Sequence, residues 1–218
     1  MRRSELELSI NWVRRLLPDD DQIVVVGSQS ILGAFNEVLL PDDARLSMEV
    51  DVLPLHDPDE RKADLIEVML GRDSTFHERF GIYVDGVSPA TSKFAPGWLA
   101  RTIPFVATDP SGVVPDTIAW CAHPADLVAN KLTVGREKDM AFCRAVLRQR
   151  LVNPADVAEL IEQIEGIAPA PRQMARQVTA AHAMPIGTTF AKVNRRASVG
   201  LSPPTLEDLP TIYDTDHQ

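Results

Sequence analysis

Four consecutive β-branched residues, Ile23-Val24-Val25-Val26, stopped by Gly27-Ser28, constrain this chain more than any other segment. Such side chains are stiff at χ1 and favour extended backbone. The run is too short for a helix, so it reads as a buried strand. Before it, Leu6, Ile10, Val13 and Leu17 recur at helical spacing over residues 4–17, and Pro18 ends that helix ahead of an Asp19-Asp20-Asp21 turn. After it, a helix is expected over residues 28–40.

Residues 47–55 alternate, with Met48, Val50, Val52 and Pro54 on one face and Ser47, Glu49, Asp51 and Leu53 on the other. Residues 57–71 read as a helix, residues 80–87 and 99–106 as further strands, and residues 124–133, 137–149 and 154–164 as helices started by prolines or ended by Gly135. This order implies an α+β protein with a mixed sheet and a helical C-terminal lobe. The expected division is an α/β core over residues 1–110, a helical lobe over 111–200, and a mobile acidic tail over 201–218.

Composition excludes several classes. With 218 residues and 44% hydrophobic side chains the chain can bury a sizeable core, and no apolar run approaches the roughly 18 residues of a membrane span. The Met1-Arg2-Arg3 start is followed by charged residues where a secretion signal needs an apolar stretch, so a cytoplasmic protein is expected. Cys121 and Cys143 lack metal-site or redox spacing and read as buried thiols. A net charge of −9 argues against unselective coating of nucleic acid. Residues 99–201 are nevertheless net basic, which leaves room for a local basic surface formed by Lys131, Arg136, Lys138, Arg144, Arg148 and Arg150.

Three features carry chemistry. Glu49-Val50-Asp51 places two carboxylates on one strand face, a repulsive pair that either solvent or a divalent cation must compensate. Gly27-Ser28 turns a strand into a helix, and such a turn either caps the helix or offers N–H groups and a hydroxyl to an anion. Lys131 falls between Val128 and Leu132, near the apolar side of its helix, where a phosphate neighbour would explain it. Asp139 opens the next helix, where a structural and a catalytic role are equally natural.

In this order, Gly27-Ser28, Ser47-x-Glu49-x-Asp51 and Asp126-Leu127-x-x-x-Lys131-Leu132 with Gly135-Arg136-x-Lys138-Asp139 resemble the polymerase-β-type nucleotidyltransferases. Within that superfamily the chain is most similar to AbiEii and MenT-like toxins and their bacterial relatives, over about residues 24–151. The resemblance implies a polymerase-β-like nucleotidyltransferase fold, a mixed twisted sheet flanked by helices, and Mg²⁺-dependent transfer of NMP from an NTP. Glu49 and Asp51 would hold the metal, Gly27 and Ser28 would cradle the phosphates, and Lys131 would neutralise them. Asp139 would lie near nucleotide or acceptor, and Asp85 is the candidate third carboxylate unless it serves an Asp-Gly turn. Ser47 matches a hydroxyl that a partner antitoxin phosphorylates in some MenT-like toxins. Arg136 and Lys138 are candidate RNA contacts.

By the same analogy the acceptor is the tRNA 3′ end and the protein is the toxin of a toxin–antitoxin pair with a cognate antitoxin partner. Two other readings stand beside it: transfer to a small molecule or protein hydroxyl, and a catalytically idle nucleotidyltransferase fold acting as a regulatory partner. His77 and His123 suit capping or packing, and Trp98 and Trp120 suit the core.

Overall fold

The computed structural model describes residues 1–18, 22–89, 93–109, 112, 116–185, 187–193 and 201–204. The acidic turn at residues 19–21 and residues 205–218 of the expected tail lie outside them. Five strands form one mixed sheet: β1 Ile23–Val25, β2 Glu49–Pro54, β3 Tyr83–Gly86, β4 Ile103–Ala107 and β5 Thr117–Cys121, in the spatial order β3-β2-β1-β5-β4. The helices are α1 Arg3–Leu16, α2 Ile31–Ala34, α3 Arg61–Leu70, α4 Thr75–Phe80, α5 Pro124–Val134, α6 Glu137–Arg148, α7 Pro154–Gln163 and α8 Pro169–Ala181. The chain adopts the mixed α+β arrangement that its pattern implies.

Both faces of the sheet are apolar, as the unbroken run in β1 requires. Ile23 and Val25 join Val50, Val52, Val84, Phe105 and Cys121 in the main core, where Leu6, Ile10 and Val13 of α1 are fully buried. Each such side chain is worth about 1.5–3 kcal/mol over exposure. Val24 and Val26 face the other way, into a smaller cluster with Leu53, Leu55, Leu99 and Trp120. Leu201 packs against that second cluster, and Pro204 is buried.

Strand direction brings distant segments to one end of the sheet. β2 runs antiparallel to β1, so its first residues lie where β1 ends, and Val26 donates its N–H to Asp51 O at 3.0 Å. β3 runs parallel to β2, with Asp85 opposite Asp51. β5 runs parallel to β1 and leaves the sheet at the same end, where His123 Nδ1 accepts from Ala125 N at 3.3 Å and caps α5. Gly135 ends α5 with φ 72°, a left-handed conformation suited to glycine, and turns the chain directly into α6.

Several sequence expectations need correction. The helix expected over residues 28–40 breaks into a 3₁₀ turn at Ser28–Ser30, the short α2, and a second 3₁₀ turn at Glu37–Leu39. Phe35 is extended, and the Asn36 side chain accepts from Val38 N at 3.1 Å, a local bond that competes with helix. Residues 75–80, partly assigned to a strand, form α4, which Ser74 caps by accepting from His77 N at 3.2 Å. Phe76 and Phe80 pack on Trp12 there. The strand expected at residue 99 starts at Ile103 after a 3₁₀ turn. β5 was not anticipated.

Candidate metal and anion site

The period-2 geometry of β2 projects Glu49 and Asp51 from one face, and the β2/β3 register sets Asp85 beside them. One carboxylate oxygen from each of the three lies within 4.8 Å of the others, the one such acidic grouping among the described residues. Burial, reinforced by the adjacent Glu49 charge, pushes the Asp51 carboxyl up to about 7. Burial together with the charges of Glu67 and Glu49 pushes Asp85 up to about 6. Asp85 Oδ1 is also buried without a hydrogen-bond partner. Three hard oxygen donors, mutual repulsion and an orphaned acceptor fit a divalent cation, which would satisfy all three conditions. The triad therefore has the donor chemistry for a metal, and Asp85 sits on a strand rather than in an Asp-Gly turn.

Gly27 lies against Asp51 so closely that a Cβ at residue 27 would stand 1.6 Å from Asp51 Oδ2. The Gly27-Ser28 turn is tied to β2 by Gln29, whose Nε2 donates to Ser47 O at 3.0 Å. Ser47 in turn accepts at Oγ from Glu49 N at 3.2 Å. A small polar cleft of about 90 Å³ opens here, lined by Gly27, Ser28, Asp51, Lys131, Arg136 and Lys138 among others. A wider one of about 330 Å³ adjoins it across Glu49, Lys138 and Asp139, with Leu46, Met48, Ala141 and Phe142 in its wall.

Lys131 has a protein partner. Its Nζ donates to Asp139 Oδ1 at 2.6 Å, with only 12% and 6% of the two side chains exposed, and lies 5.3 Å from the centre of the Phe142 ring. This pair clamps α5 to α6 across Gly135 and presents a cation to the polar cleft. Lys138 is mostly exposed, 3.9 Å from Glu49 Oε2. Arg136, Arg144, Arg148 and Arg150 are exposed as well. Asp126 is structural: it holds Arg101 through paired bonds of 2.7 and 2.9 Å.

His77 and His123 serve locally, His77 Nδ1 accepting from Asp73 N at 3.0 Å and His123 capping α5. Trp120 belongs to the second core cluster, and Trp98 stacks on Phe94 at 4.4 Å. Burial pushes both thiols, Cys121 and Cys143, up to about 12, which keeps them protonated and inert. The sequence reading missed Tyr83 and Arg72. Tyr83 Oη donates to Glu49 Oε2 at 3.1 Å, and Arg72 Nη2 donates to Tyr83 Oη at 2.5 Å. Tyr83-x-Asp85 carries the signal that would have found the tyrosine, since residues two apart on a strand share a face.

An acidic triad suited to a divalent cation, bordered by a Gly-Ser turn and by Lys131, Arg136 and Lys138, can hold a polyanion and a metal side by side. Among the described residues no helix is long and apolar enough to cross a membrane. No curated protein and no solved structure matches the chain. Residues 5–178, which contain every described strand and all the site residues above, match the family described as "Nucleotidyltransferase of unknown function (DUF6036)", and the chain belongs to that family.

Proposed function

We propose that this nucleotidyltransferase is Mg²⁺-dependent and moves NMP from an NTP to the 3′ end of a tRNA. The observation that carries the reading is the convergence of Glu49, Asp51 and Asp85 within 4.8 Å beside the cleft lined by Gly27, Ser28 and Lys131. In the transfer an acceptor hydroxyl oxygen bonds to the α-phosphorus as the bond to pyrophosphate breaks, and the hydroxyl proton is released to solvent. Such chemistry relies on positioning and charge stabilisation more than on covalent help from the protein. Glu49, Asp51 and Asp85 would hold Mg²⁺, which when bound neutralises phosphate charge and orients the reacting oxygens. Lys131, kept in place by Asp139, faces the same phosphates, and Ser28 offers its hydroxyl to them. The exposed Arg136, Lys138, Arg144 and Arg148 on and before α6 favour an RNA acceptor over a small cationic one.

By its resemblance to AbiEii and MenT-like proteins, the activity is that of a toxin held in check by an antitoxin. Ser47 is the control point on this reading. A phosphate there adds a charge of about −1.5 to −2 within the wall shared by both clefts, next to Glu49, and repels the triphosphate.

The test is incubation of the protein and its Asp51→Ala variant with total tRNA, Mg²⁺ and each labelled NTP in turn. Label entering tRNA with the wild type alone is the expected result and names the nucleotide. Nucleotide binding without label in tRNA moves the acceptor to a small molecule or a protein hydroxyl. Failure to bind any NTP would move the weight to a catalytically idle fold.

A further inference from the structure

Glu49 differs from the other two carboxylates of the triad in reach. It carries one more methylene than Asp51 or Asp85, and hence one more bond rotation to be frozen before its oxygens can serve a cation. The restraint comes from the neighbouring strand. Tyr83 is the residue opposite Glu49 in the β2/β3 ladder, and its hydroxyl donates to Glu49 Oε2 at 3.1 Å. The phenol is itself fixed. Arg72 donates to its oxygen at 2.5 Å and lies 4.8 Å from the ring centre, while the His77 ring meets it edge-on at 5.2 Å. Tyr83 is 4% exposed, whereas Lys138, whose Nζ stands 3.9 Å from Oε2, is mostly in solvent. A buried ring filling this space needs no hydroxyl; the oxygen is engaged only by Arg72 on one side and Glu49 on the other among the described contacts.

We infer that Tyr83 is a positioning residue whose hydroxyl, backed by Arg72, locks the Glu49 carboxylate in the orientation that serves a divalent cation. The inference rests on the reading of Glu49, Asp51 and Asp85 as a cation site. It adds a residue outside the carboxylate set that governs how tightly the site binds. Outer partners of metal-binding side chains commonly change affinity by about tenfold or more.

Mn²⁺ is the probe, its binding to the full chain followed by electron paramagnetic resonance of the free ion. Tyr83→Phe keeps the ring and removes the hydroxyl, and is expected to weaken Mn²⁺ binding about tenfold. Arg72→Met, which leaves the buried ring in place, is expected to weaken it less but in the same direction. In a Glu49→Asp background the carboxylate is drawn back from the phenol, so Tyr83→Phe is expected to have no further effect. Wild-type affinity in both single variants overturns the inference, and so does an undiminished effect of Tyr83→Phe in the Glu49→Asp background. Glu49→Ala separates the two levels. If it binds Mn²⁺ as the wild type does, the cation reading of Glu49 falls and the inference falls with it. If it loses binding while Tyr83→Phe does not, the inference alone fails.

Discussion

Gly27, just beyond the end of β1, lies against the Asp51 side chain with no room for a methyl group, since a Cβ on residue 27 would stand 1.6 Å from Asp51 Oδ2. The backbone of Gly27 is ordinary, with φ −83°, so the glycine answers to close approach and not to backbone strain. In Gly27→Ala the turn and the Asp51 carboxylate can no longer keep their present places, which disturbs the grouping of Asp51 with Glu49 and Asp85. The variant is expected to fold, with a stability loss of about 1–3 kcal/mol, and to lose about 100-fold or more in transfer rate, as a misplacement of about 1 Å commonly does. Near-normal transfer by Gly27→Ala would mean that the Asp51 position is not critical.

The Lys131–Asp139 pair, with 12% and 6% of its side chains exposed, predicts an asymmetric mutational response. Asp139→Asn leaves the lysine cation without its charge partner in a largely dry position and is expected to cost about 3 kcal/mol in urea unfolding. Replacing both groups, Lys131→Met with Asp139→Leu, removes the two charges together and is expected to cost much less. If Lys131 also meets phosphates, an added NTP stabilises Asp139→Asn more than it stabilises the wild type. Equal stabilisation would leave Lys131 as a structural clamp.

The parts of this architecture that were legible in the sequence are those encoded locally. The β-branched run of β1, the alternation of β2, and the proline and glycine punctuation of α5 through α7 each declare themselves within a few residues. Glu49 and Asp51 were readable for the same reason, because period 2 alone places them on one face. Asp85 was readable only as an alternative to a turn, since its role depends on the β2/β3 register, a long-range property. β5 escaped because Thr117-Ile118-Ala119-Trp120-Cys121 is too short a run for periodicity to separate strand from buried helix. Asp139 as the partner of Lys131 required knowing how Gly135 turns α5 into α6. Tyr83 was lost because its hydroxyl matters only through Glu49.

Arg144 and Arg148 stand one turn apart on the exposed face of α6, the helix that also delivers Lys138 and Asp139 to the clefts. On the proposed reading of a tRNA acceptor, replacing both with alanine is expected to weaken tRNA binding and to reduce the slope of log affinity against log salt by about 2, about one per lost phosphate contact. Thermal stability should stay within about 0.5 kcal/mol, as for other exposed positions. NTP binding should not change. An unaltered salt slope would point the acceptor elsewhere on the surface.

The raised carboxyl pKa values of Asp51, about 7, and Asp85, about 6, against an ordinary 3.8, fix the sign of a pH dependence. In the metal-free protein the folded state binds these protons more tightly than the unfolded chain. Their contribution to stability is present in full below about pH 4 and is lost as the pH rises through about 6 to 7. A divalent cation held by the triad would replace the missing protons at high pH and compete with them at low pH. Mg²⁺ is therefore expected to raise the melting temperature by about 3 °C or more at pH 8, and by much less near pH 5.5. Equal gains at both pH values would show that the ion binds away from the triad.

Asp85→Asn tests whether the acidic cluster is maintained at the expense of the fold. Its Oδ1 is buried without a hydrogen-bond partner, and Asp51 lies opposite on the neighbouring strand. At pH 8 without metal, the wild type holds three carboxylates within 4.8 Å, an arrangement that folding alone disfavours. An amide at residue 85 removes one charge and adds N–H donors for its neighbours. The metal-free variant is accordingly expected to melt about 2–4 °C higher than the wild type at pH 8, while its response to Mg²⁺ shrinks and transfer is lost. A structural Asp85 predicts the opposite pattern: a lower melting temperature with or without metal, and an intact Mg²⁺ response. Because the two accounts differ in the sign of the metal-free shift, calorimetry of the variant in chelator decides between them without recourse to activity.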